Sequence, residues 1–84
     1  LQIEVEDSAP VEATCDNESL TVKLHDGRVL RALLWWYPRL VAATERQRAR
    51  VELSPMGIYW PEIDEDISIA SILRGHKAPG ARAP

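Results

Sequence analysis

The chain holds one cysteine, no phenylalanine, four glycines and no long apolar run. Each shortage excludes something. With Cys15 alone, no internal disulfide and no multi-cysteine metal site can form, which fits a reducing cytoplasm. A bilayer span needs about 18–20 consecutive apolar residues, and none occurs. The N-terminus lacks a basic-then-apolar leader. There is no glycine-rich phosphate loop. Ser54, Ser68 and Ser71 show no nucleophile elbow. His25 and His76 stand without a second histidine or cysteine at ligand spacing. No catalytic set emerges, so the expectation is a protein that is not an enzyme and carries neither metal nor cofactor.

What is present is enough for one small domain, 84 residues long. Its apolar area is concentrated in Trp35, Trp36, Tyr37, Tyr59 and Trp60. Net charge is −3, and it is banded. Residues 1–26 carry seven acids against Lys23, and residues 28–50 carry six arginines against Glu45. Residues 52–66 carry five acids and no base, and Arg74, Lys77 and Arg82 follow. Such banding is either a polarised surface that steers partners or a set of solvated faces that neutralise one another.

The apolar pattern changes period along the chain. Ile3 and Val5 alternate with polar neighbours, as in a half-buried strand, until Ser8-Ala9-Pro10 interrupts. Leu20, Val22 and Leu24 alternate with Thr21 and Lys23, and Leu30, Ala32 and Leu34 follow His25-Asp26-Gly27. This predicts a hairpin. A two-residue loop would pair Val22 with Arg31. A three-residue loop with left-handed Gly27 pairs Val22 with Leu30 and Leu20 with Ala32, and so gathers the apolar set on one face. Val29, Leu33 and Trp35 then fall on the other face, covered by a helix or left as a contact surface.

Pro38 suits the first turn of a helix. Thr44 with Gln47 reads as a capping box for a second helix through Ala49. Brief strands are expected at Val51–Leu53 and Ile58–Trp60, with a turn between them and Pro61 ending the second. Ser68 can cap a last helical turn from Ile69 to Arg74. The expected fold is α+β: a small antiparallel sheet, made of a β-hairpin and short strands, with short helices packed on one face. One domain spans 1–75, and 76–84 reads as a disordered tail.

The run Gly57–Ser68, GIYWPEIDEDIS, is the most specific part of the chain. Together with the Asp26-Gly27-Arg28 turn, WYPRL at 36–40 and the T-x-x-Q-R run at 44–48, it makes the chain resemble a bacterial family catalogued as domain of unknown function 2442. The likeness runs from about Leu20 to Gly75. Trp35 departs from that family, which usually has a small residue there. The resemblance implies a small α+β domain. Some relatives carry a helix-turn-helix domain, and others look like halves of modules resembling toxin–antitoxin pairs. Neither context defines a reaction.

Three functional readings follow. The first is a non-enzymatic protein-interaction module that binds a protein partner or a second copy through Val29, Leu33, Trp35, Arg39 and Arg46. The second is an antitoxin-like or transcription-associated regulator that contacts DNA through the Arg39–Arg50 band, although a basic footprint usually shows in the total charge. The third is a metal-assisted enzyme on the acidic cluster Glu62, Asp64, Glu65 and Asp66. Hard cations take clustered carboxylates, but the calcium-loop spacing is absent. The structural reading of the cluster is a turn in which Asp64 or Asp66 accepts backbone N–H bonds ahead of the last helix.

Overall fold

The structure, a computed structural model, describes residues 8–84. The strand expected at Ile3–Val5 lies outside them. The architecture is α+β, with two three-stranded antiparallel sheets rather than the single sheet expected. The first sheet joins β1 (Pro10–Cys15), β2 (Ser19–Leu24) and β3 (Val29–Leu33) in that spatial order. A 3-10 turn (Leu34–Trp36) leads into α1 (Pro38–Ala42) and α2 (Glu45–Ala49). The second sheet joins β4 (Glu52–Ser54), β5 (Gly57–Trp60) and β6 (Glu65–Ser68), and α3 (Ile69–Leu73) follows directly.

The β2–β3 register is the one the apolar pattern requires: Val22 lies opposite Leu30 and Leu20 opposite Ala32. Gly27 has φ +94°, and the Leu24 N–H donates to the Arg28 carbonyl at 2.8 Å. The loop is therefore three residues long, and its glycine adopts the left-handed conformation that side chains resist. Asp26 accepts from the Arg28 N–H at 3.0 Å and pairs with its Nε at 2.9 Å. The β1–β2 turn is closed by Asp16, whose carboxylate accepts the Glu18 and Ser19 N–H groups, each at 2.7 Å.

One core joins both sheets. It comprises Leu20, Val22, Leu24 and Ala32 from the first, Ile58, Trp60 and Ile67 from the second, and Leu34, Tyr37, Leu40, Ile69 and Ile72 from the turn and helices. Each fully buried aliphatic side chain contributes about 1.5–3 kcal/mol. The helices are too short to persist alone and depend on this packing and on their caps. Thr44 and Gln47 form the full capping box, and Ser68 Oγ accepts the Ser71 N–H at 3.0 Å.

Two local features depart from the expected pattern. Trp35 sits in the 3-10 turn, half-buried, and not on the hairpin strand. Glu65 and Asp66, expected in a turn, belong to β6, where Tyr59 faces Asp66 and Trp60 faces Glu65. Burial alternates along that strand: Glu65 and Ile67 are inside, Asp66 and Ser68 outside. A carboxylate thus occupies a core-facing position where a strand ordinarily carries an apolar residue.

Candidate functional site

An open groove of about 600 Å³ runs beside the end of β3, walled by Leu33, Leu34, Trp35, Pro38 and Val41 and by the C-terminal residues Gly80, Arg82 and Pro84. Leu33 is 49% exposed and Val41 50%, and Val29, further along the same strand, is 55% exposed. The outward positions of β3 are Val29, Arg31 and Leu33, so a charged side chain separates the two apolar ones on that face. The groove continues that face across the 3-10 turn. Leu33 and Trp35 both line the groove, whereas Val29 lies outside it, beyond the exposed Arg31 on the strand.

Residues 76–84, read from composition as a tail, form no helix or strand, but they make specific contacts. The Ala78 N–H donates to the Trp36 carbonyl at 2.9 Å. The Lys77 ammonium stands 4.4 Å from the centre of the Trp36 ring and 5.9 Å from that of Trp35. Trp35 and Trp36 meet edge to face, with ring centres 6.4 Å apart. A cation over an indole face is attracted by the ring quadrupole. The tail therefore forms a wall of the groove.

The arginine band is largely engaged in holding the fold. Arg48 donates from Nε to the Leu40 carbonyl at 2.8 Å, from Nη2 to the Val41 carbonyl at 3.1 Å and from Nη1 to Asn17 at 3.0 Å. It thereby adds a second donor to the Leu40 carbonyl, which already accepts the Ala43 N–H, and caps the Val41 carbonyl at the end of α1. Arg50 pairs with Glu62 at 3.1 Å. Arg39 donates to the Asp64 carbonyl. Arg46 is exposed and, among the described residues, has no such partner. Arg39 and Arg46 are not groove residues.

The acidic cluster is dispersed. Glu62 and Asp64 lie in the turn between β5 and β6, while Glu65 faces inward and Asp66 outward. Among the described residues no three His, Cys, Asp or Glu side chains converge as metal ligands. Asp64 shapes its turn through the backbone: its φ is +52°, a left-handed value that aspartate tolerates better than most residues. Its carbonyl, rather than its carboxylate, receives Arg39.

A second cavity, about 210 Å³, was not foreseen from the sequence. Tyr37, Glu65, Ile67, Ser71, His76 and Lys77 are among its walls. Tyr37 is 2% exposed, and its hydroxyl has no hydrogen-bond partner. Glu65 is 9% exposed. Burial pushes the Glu65 carboxyl above its usual range, opposed in part by the Arg39 guanidinium. Burial, and then the Glu65 charge, push the Tyr37 phenol up to about 12. The sequence signal for Glu65 was its phase: it falls in step with Ile67 and Ile69.

The chain belongs to the family described as protein of unknown function (DUF2442), whose model matches residues 10–78. It is similar in fold to a protein of unknown function from Rhodospirillum rubrum ATCC 11170 seen in a crystal structure, with a TM-score of 0.73 and 22% identity. That match covers 87% of this chain and 93% of the other. No curated protein matches the sequence. Among the described residues no helix is long and apolar enough to cross a membrane.

Proposed function

We propose that this protein is a non-enzymatic, cytoplasmic interaction module that docks a second copy of itself through the groove beside β3. The observation that carries the reading is the apolar wall of that groove, Leu33, Leu34, Trp35, Pro38 and Val41, with Leu33 and Val41 about half exposed. Contiguous apolar surface rimmed by polar residues marks association sites. β3 also ends its sheet, pairing with β2 alone. Charge supports a two-fold partner: Glu18 and Arg82 both line the groove, so an isologous copy can set each against its opposite.

The engaged state of Arg39, Arg48 and Arg50 supports placing the contact here rather than on the arginine band. Dilution experiments on the amide spectrum test the proposal. The expected result is concentration-dependent shifts centred on residues 29–35, Val41 and 80–84. Shifts centred on Arg46, or none over the accessible range, would overturn it.

A further inference from the structure

We propose that the free edge of β3 is a docking site for an extended peptide whose alternate residues read apolar, acidic, apolar, added as a further strand to the first sheet. The backbone phase of β3 leaves this edge open. The Leu24 N–H donates to the Arg28 carbonyl and the Leu34 N–H to the Glu18 carbonyl, each at 2.8 Å. Between those two bonds Val22 faces Leu30 and Leu20 faces Ala32. Bonded and unbonded pairs alternate along an antiparallel ladder. Leu30 and Ala32 therefore turn their backbone groups toward β2, and Val29, Arg31 and Leu33 turn theirs away. Each of these three offers one N–H donor and one carbonyl acceptor, and among the described residues none of these groups meets a partner.

Such an edge is a template for another strand unless proline, a bulge or charge blunts it. β3 has no proline, and its register with β2 runs without a shift. Its one charge is Arg31, exposed between Val29 and Leu33 on the outward face. The guanidinium makes no ion pair among the described residues. The nearby Asp16 carboxylate is occupied by the Glu18 and Ser19 N–H groups.

Charge selects the occupant. A two-fold pairing of β3 with its own copy that used all three residues would set Arg31 against Arg31, and like charges directly opposite one another are destabilising. A strand with an acid at that position gains a charge pair instead, with apolar side chains beside Val29 and Leu33. Backbone bonds then supply affinity, and the alternate side chains supply specificity. The edge is distinct from the groove that takes the second copy, which includes only Leu33 of β3.

The test titrates the full chain with two capped peptides, Ac-SVTETVS-NH2 and its lysine counterpart Ac-SVTKTVS-NH2, followed by amide correlation spectra and hydrogen exchange. The acidic peptide is expected to give saturable shifts centred on residues 29–33. It should slow exchange at the Val29, Arg31 and Leu33 amides and leave those of Leu30 and Ala32, already bonded to β2, unchanged. The lysine peptide should bind about fivefold or more weakly, the scale of an exposed ion pair. Arg31→Glu, at an exposed position, should reverse that preference. Absence of saturable shifts, shifts centred instead on Val41 and residues 80–84, equal binding of the two peptides by wild type, or failure of Arg31→Glu to reverse the preference would each overturn the proposal.

Discussion

The indole Nε1–H of Trp60 donates to the carbonyl of Arg48 at 3.0 Å, which joins the end of β5 to α2. Arg48 in turn donates to the carbonyls of Leu40 and Val41. One aromatic ring and one guanidinium thus lock both short helices to the second sheet. Trp60 is 1% exposed. Trp60→Ala should cost about 3–5 kcal/mol through the lost area and the cavity left behind. In a domain of this size that is a melting-temperature drop of at least about 12 °C. Trp60→Phe keeps most of the packing and should cost about 1–2 kcal/mol for the lost bond. Thermal melts of the two variants check both values.

Gly57 tests the closeness of β5 and β6. A methyl group at its Cα would stand 2.6 Å from the Ile67 carbonyl oxygen. Backbone must shift to admit it. Gly57→Ala should destabilise by about 1–3 kcal/mol, as overpacking does elsewhere. Denaturant midpoints of variant and wild type give the comparison, and an unchanged midpoint would contradict the close approach.

Glu65 gives the protein a pH dependence of definite sign. Its carboxyl is raised by burial from the usual 4.5. Between that value and the raised one, the folded protein holds a proton that the unfolded chain has released. Stability therefore falls as pH rises through this window. Glu65→Gln removes the effect. The variant should melt higher than wild type above the window, with the advantage shrinking as pH falls to 4.5 and below. A difference that does not change with pH would contradict the assignment.

Cys15 is half-buried, and its thiol is pushed up to about 11, chiefly by burial, with Arg48 opposing and Asp16 adding to the shift. The thiolate is the reactive form. Alkylation by iodoacetamide near neutral pH should run more than about a hundredfold slower than for free cysteine. A rate near that of the free amino acid would place the side chain in solvent.

Much of the fold was legible because local chemistry and packing agree. The hairpin register followed from a single requirement, that Leu20, Val22 and Leu24 share a face with Leu30 and Ala32, and the structure has that register. The Thr44–Gln47 box and the Ser68 cap were legible for the same reason: short polar side chains recur where helices leave N–H groups open. β6 was hidden because acids are poor strand formers, and Glu65 takes the place of an apolar residue in the alternation.

The site was only half legible. Of the side chains the sequence suggested for contacts, Leu33 and Trp35 line the groove, while Val29, Arg39 and Arg46 lie outside it. The arginine band resembled a surface feature, but Arg48 and Arg39 find their carbonyl partners at sequence separations of 7 to 25, which composition does not encode. The Tyr37–Glu65 cavity depends on the strand phase of β6, so it stayed hidden with that strand.

Sedimentation velocity over a concentration series tests the interaction module most directly. Wild type should shift from monomer toward dimer as concentration rises. A Val29→Lys, Leu33→Lys double variant should remain monomeric throughout with an unchanged folded spectrum, because both side chains are about half exposed. A wild type that stays strictly monomeric at high concentration, or a double variant that dimerises equally well, would contradict the account.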